Sequence, residues 1–84
     1  MRLSNMADYA VSLMSEAARH CGATHMTAAL LSDRTGIPLP TSQKLVRTLV
    51  KADLLKSERG AGGGVRLARP AAAITLADIV EAVE

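Results

Sequence analysis

Aromatic side chains are nearly absent: 84 residues contain no Trp, no Phe and a single tyrosine, Tyr9. That excludes a platform on which single strands or unpaired RNA bases could stack, since such platforms need several exposed rings. Cysteine is as scarce. Cys21 stands alone, which excludes a disulfide framework and any all-cysteine metal site within the chain. No apolar run approaches the ~20 residues of a membrane span, and Met1-Arg2-Leu3-Ser4-Asn5 lacks a signal peptide's apolar stretch. The chain is expected to be soluble and cytoplasmic. Its length allows one domain with a thin core, drawn from the Ala, Leu and Val that dominate its 49% hydrophobic content.

The net charge of +2 conceals a strong asymmetry. Residues 1–39 balance Arg2, Arg19 and Arg34 against Asp8, Glu16 and Asp33. Residues 40–70 set seven cations (Lys44, Arg47, Lys51, Lys56, Arg59, Arg66, Arg69) against Asp53 and Glu58, a net +5. Residues 71–84 carry only Asp78, Glu81 and Glu84. A basic middle between neutral and acidic ends fits a face that meets a polyanion. A solvated helix face is the plainer source of a few lysines, so charge alone does not decide.

Met6, Ala10, Leu13, Met14 and Ala17 form one stripe of an amphipathic helix, with Ser4 as N-cap and Cys21-Gly22 as the stop after His20. His20 and His25 have no carboxylate or cysteine at helical ligand spacing, so they are expected on the surface rather than on zinc. After an extended His25-Met26, Thr27 is placed to cap a second helix through Arg34, with Ala28, Leu30 and Leu31 as its contacts and Gly36 as its stop. Pro38 forbids continuation, while Pro40 suits the first turn of a third helix running to about Ala52. Two helices joined by a tight turn containing glycine make a helix-turn-helix. At about 100° per residue, Leu45, Val46, Leu49, Val50 and Ala52 cluster on one side of the third helix, and Gln43, Lys44, Arg47 and Lys51 on the other. An ordinary exposed face would mix signs in i,i+4 pairs; this one has no acid. Gln can bond adenine edges, while Arg and Lys can bond guanine edges or neutralise phosphates.

Beyond Asp53, two short and partly alternating segments, residues 54–59 and 65–68, flank Gly60-Ala61-Gly62-Gly63-Gly64. This reads as a β-hairpin. A nucleotide-binding reading fails, because Val65 stands where a dinucleotide fingerprint needs glycine and Val65-Arg66 stands where a phosphate loop needs Lys-Ser or Lys-Thr. Arg59, Arg66 and Arg69 arm the hairpin's flanks, and an arginine at such a tip can enter a narrow minor groove. A tip that touches nothing is the alternative. Pro70–Ala73 is a spacer, Thr75 with Asp78 approximates a capping box, and Leu76, Ile79, Val80 and Val83 form a final apolar stripe, for the core or for a second subunit. No stop signal follows Val83-Glu84, so the last helix is expected to be cut.

These elements add up to a mainly α fold with a small β-wing, a winged helix-turn-helix spanning residues 1–84. Met1-Arg2-Leu3 with Tyr9-Ala10-Val11, Gly36-Ile37-Pro38, Arg59-Gly60-Ala61-Gly62-Gly63-Gly64 and Ile79-Val80-Glu81-Ala82-Val83 together resemble the IscR-like family. These are bacterial winged-helix transcription regulators of iron–sulfur cluster assembly or of iron, nitric oxide or redox response. Pro38–Thr41 and the glycine loop look most like regulators of the SUF assembly operon. The resemblance implies major-groove contacts from Thr41, Gln43, Lys44 and Arg47, with Lys51 extending the basic face, and a minor-groove visit by Arg59, Gly60, Gly62 and Gly63. Arg2, Ser4 and Tyr9 would touch phosphate, although Tyr9 serves equally as the core's one ring. Family members continue into three clustered cysteines that hold an iron–sulfur cluster, then a long dimerisation helix. Within residues 1–84 no cofactor is expected, and Cys21 matches no cluster ligand.

The leading expectation is therefore a sequence-specific double-stranded-DNA-binding module of a transcription regulator, a repressor that is homodimeric at full length and has no membrane partner. A winged-helix protein-interaction module is the alternative. An enzyme is the poorest reading, with no nucleophile–base pair, metal cluster or phosphate loop in view.

Overall fold

The computed structural model describes residues 5–19, 26–58 and 64–84. Four helices and one hairpin follow in the order α1 (Asn5–Arg19), α2 (Ala28–Thr35), α3 (Leu39–Lys51), β1 (Leu55–Glu58), β2 (Gly64–Leu67) and α4 (Leu76–Val83). This is the winged helix-turn-helix expected from the sequence. The spacer is more regular than expected: Ala71–Ala73 closes a single 3₁₀ turn. Among the described residues no helix is long and apolar enough to cross a membrane.

The core is aliphatic throughout. Leu13 of α1, Leu31 of α2, Leu45 and Leu49 of α3, and Leu54 and Leu55 entering the hairpin are fully buried, with Met26 beside them. On α1 the stripe contains Ala7, Ala10, Leu13, Met14 and Ala17 as buried positions, with Met6 half-buried at its edge. Tyr9 is not the core's ring; it is 37% exposed. On α4 only Ile79 is buried, while Ala82 and Val83 pack partly. Of the two alternatives for that stripe, core or second subunit, Leu76 does not join the core: it is 52% exposed. It lies about 60° around the helix from Ile79, beyond the arc that the neighbouring helices cover.

Each boundary has a local cause. The Thr27 hydroxyl accepts from the Leu30 N–H at 3.1 Å and so starts α2. Gly36, at φ 80°, ends it, its N–H donating to the Ser32 carbonyl. A Schellman arrangement closes α3, in which the Asp53 N–H donates to Val50 at 3.1 Å and the Leu54 N–H to Leu49 at 3.0 Å. Asp53 takes the left-handed position, φ 66°, where glycine is usual. At α4 the capping box is complete: the Thr75 hydroxyl accepts from the Asp78 N–H at 3.1 Å and the Asp78 carboxylate from the Thr75 N–H at 3.0 Å.

The wing is antiparallel, pairing Leu55 with Leu67, Lys56 with Arg66, Ser57 with Val65 and Glu58 with Gly64. The extended piece expected at His25-Met26 has a definite role at Met26, which forms an isolated antiparallel bridge to Val65. The Val65 N–H donates to the Met26 carbonyl at 2.7 Å. A two-stranded ribbon alone is marginal in water. The Met26 bridge, with Leu55, Val65 and Leu67 turned inward, fastens this one to the helices.

Two predictions follow from the caps. Nothing lies within 4 Å of a Cβ built on Gly36, so a Gly36→Ala change is strained by its backbone angle alone. It should cost about 1–2 kcal/mol in a urea melt, and Gly36→Asn less. Hydrogen bonds from Thr75, first from its backbone and then from its side chain, hold the Asp78 carboxyl below the ordinary aspartate value, with Arg69 adding attraction. A lowered folded pKa means that the cap's contribution is complete above the ordinary value and lost as pH falls through it to the folded value. Asp78→Asn should therefore flatten the fall of the urea midpoint from about pH 5 downward.

Candidate nucleic-acid interface

The geometry of α3 is set by the turn before it. Ile37 precedes a proline, which favours extended backbone, and its side chain is buried. Its carbonyl faces two hydroxyls: Ser32 of α2 donates a short hydrogen bond to it, and Ser42 of α3 a longer one of 3.5 Å. Thr35 adds a third strap. Its hydroxyl donates to the Leu31 carbonyl at 2.6 Å and accepts from the Ile37 N–H at 3.3 Å. The two helices are thus tied through a single peptide. Ser42 is wholly buried, the one buried polar residue among those described.

With Ser42, Leu45 and Leu49 facing inward, the other side of α3 is forced outward. Gln43, Lys44, Arg47 and Lys51 are all exposed, on one face, as the sequence led us to expect. Thr41 sits at the flank, half-buried. None of the three cations is in an ion pair among the described residues, and α3 contains no acid. Between α1 and α2 the arrangement differs. Glu16 lies 4.0 Å from both Arg19 and Arg34, drawing α1 and α2 together.

The wing adds a feature that the sequence reading left unassigned. Lys56 and Arg66 stand directly opposite each other in the register, both exposed, on the face away from Leu55 and Leu67. Like charges placed opposite each other across a ribbon repel, so this position adds to the positive surface rather than to the ribbon's stability. Hairpin register, not spacing along the chain, reveals it. Arg69 is exposed beyond β2, and its charge helps to lower the pKa of Asp78. Tyr9 is exposed on α1, a helix packed against α2, α4 and β2. Arg2, Ser4, Cys21, Arg59, Gly60, Gly62 and Gly63 lie outside the described residues, as do His20 and His25.

Could these residues hold an iron–sulfur cluster? Cys21 is the chain's single thiol, and among the described residues no three His, Cys, Asp or Glu side chains come together. The donor set does not fit a cluster, which is ordinarily held by several thiolates.

Two helices strapped through one peptide, the second with a basic outer face, and a two-stranded ribbon beyond them define a winged helix-turn-helix. The sequence profile of the Rrf2 family, described as an iron-dependent transcriptional regulator, matches residues 3–84, and the chain belongs to that family. It is 38% identical over 84 residues to the transcriptional regulator IscR of Vibrio cholerae, covering all of this chain and 49% of that protein. Among solved structures, IscR of T. potens superposes with a TM-score of 0.92 at 34% identity, over all of this chain and 61% of that one. CymR, the global cysteine regulator of B. subtilis, gives a TM-score of 0.92 at 30% identity, over all of this chain and 65% of that one. These relatives are transcription regulators, not enzymes. The chain spans about half the length of the curated relatives it matches.

The Ser32 strap can be tested directly. Ser32→Ala leaves the Ile37 carbonyl with only the long bond from Ser42 and should cost about 1 kcal/mol in a denaturant titration.

Proposed function

We propose that residues 1–84 are a double-stranded-DNA-binding module, in which α3 enters the major groove and the wing lies along the flanking backbone. The observation that carries this reading is the unpaired basic face of α3, where Lys44, Arg47 and Lys51 stand beside Gln43 with no acid on the helix. A polyanion is the partner that such a face lacks. In helix-turn-helix proteins the second helix lies in the major groove, and its N-terminal residues reach base edges. Gln43 and Lys44 fall in that half of α3, with Thr41 at their edge, and Arg47 follows one turn after Gln43 on the same face. Lys51, a turn further on, suits phosphate. Lys56 and Arg66 extend the positive surface onto the wing, and Arg59 with Gly60, Gly62 and Gly63 at its tip are assigned to the minor groove. Arg2 and Tyr9 are assigned to phosphate.

Likeness to IscR and the family's description as iron-dependent support target genes of iron–sulfur assembly or iron and redox response. The full-length protein is proposed to act as a homodimeric repressor, reading two half-sites about one helical turn of DNA apart. No cluster is assigned to this module, because its described residues bring no donor set together.

Fluorescence anisotropy on the encoding operon's promoter and on a scrambled duplex, across a salt series, tests the reading. Tighter promoter binding that weakens with salt is expected. Arg47→Ala or Lys44→Ala should weaken promoter binding by about 1–3 kcal/mol while sparing the scrambled duplex. Lys51→Ala should weaken both alike and reduce the salt slope by about one. A folded chain that binds neither duplex overturns the reading in favour of a protein-interaction module.

A further inference from the structure

Pro38, Leu39 and Pro40 are three consecutive apolar residues, all exposed, at the entrance to α3. Such runs on a surface are errors of patterning unless they serve a function. Leu39 is 40% exposed, one of three large apolar side chains left outside the core among the described residues, and it does not pack against the core cluster. The place matters more than the exposure. Leu39 lies one helical turn before Gln43, and Pro40 one turn before Lys44, so the apolar run continues the basic face to its tip.

The run is also poor in hydrogen-bond donors. Pro38 and Pro40 have no N–H, no side chain caps this end of α3, and the Ser42 N–H is already spent on the Pro38 carbonyl. A surface of this kind serves phosphate badly. In the major groove one base edge is apolar, the 5-methyl group of thymine.

We propose that Leu39, supported by Pro38 and Pro40, is a specificity-determining contact to a thymine 5-methyl group. The proposal rests on the DNA-binding reading and sharpens it. Four residues advance a helix by about 6 Å, so Leu39 and Gln43 address positions within about two base pairs of each other. Gln43 selects adenine through hydrogen bonds and Leu39 selects thymine through a methyl, giving the first two turns of α3 an A·T-directed edge.

Thymine-to-deoxyuridine replacement removes that methyl and leaves base pairing intact. We would select a preferred duplex from a random library with the full chain, then replace each thymine singly and measure affinity by anisotropy. One position per half-site should lose about fourfold, the worth of one buried methyl-sized group. Leu39→Ala should bind the thymine and deoxyuridine duplexes alike, while Gln43→Ala keeps the methyl dependence and relaxes preference at a neighbouring adenine. Since Leu39 stands outside the core, the variant is expected to fold, which circular dichroism verifies. Sequence-selective binding with no methyl-sensitive position overturns this proposal alone, as does a Leu39→Ala variant that still discriminates. A wild-type chain that selects no sequence overturns it together with the base-reading function.

Discussion

The Ile37 peptide governs where α3 can lie. Its side chain is in the core, its position before Pro38 restricts its backbone, and its carbonyl faces hydroxyls from both flanking helices. A buried carbonyl left without a partner would cost about 1–3 kcal/mol, so the hydroxyls of Ser32 and Ser42 are tied to the presence of the turn itself. Gly36 supplies the reversal of direction and Thr35 braces it. Once this peptide is set, the rotation of α3 about its axis follows, because Ser42 must stay inside to reach Ile37. Leu45 and Leu49 lie on the same side as Ser42, and Gln43, Lys44 and Arg47 are carried outward. The orientation of the basic face thus derives from the buried Ser42, Leu45 and Leu49 rather than from the charges.

A core without rings needs close approach instead of bulk. Ala7, Ala10 and Ala17 along α1 bring its backbone near its neighbours, where larger side chains would hold them apart. Leucines then fill the space between helices, and Met26, flexible and polarizable, closes the gap beneath the wing. The same residue joins the hairpin to the helices by one backbone hydrogen bond. The link between wing and core is consequently short: Val65 is bonded to Met26, and Leu55 and Leu67 pack below it.

Features written in neighbouring residues were legible in the sequence; features made by packing were not. Thr27, Gly36 and the Thr75–Asp78 box act over three or four residues, so their chemistry appears directly in the order of the letters. The outer face of α3 was legible because helical periodicity alone separates it from the leucines. The burial of Ser42 was not, since it depends on where α2 delivers Ser32 and Ile37. How much of the α4 stripe the core takes was not legible for a related reason. Periodicity assigns Leu76 to the α4 stripe, but only the packing of α4 against α1 and α3 decides how much of it is covered, and that part is Ile79 with Ala82 and Val83. The opposition of Lys56 and Arg66 needs the hairpin register, and Asp53 shows that a helix end can take a left-handed residue other than glycine.

Charge placement separates support from contact. Acids are spent where helices need them: Glu16 lies between Arg19 and Arg34, and Asp78 caps α4 within reach of Arg69. At 4.0 Å and with exposed arginine partners, the Glu16 pairs contribute little stability each, so their greater effect is on the cations they occupy. With those arginines engaged, the positive charge left without acids gathers on α3. An acid at i+4 from Lys44 or Arg47 would have quieted it for a few tenths of a kcal/mol, and Thr48 and Lys51 occupy those positions instead. The Thr48 hydroxyl donates back to the Lys44 carbonyl at 3.0 Å and offers no counter-charge. The helix therefore forgoes its own surface pairing and keeps its cations available to an outside anion.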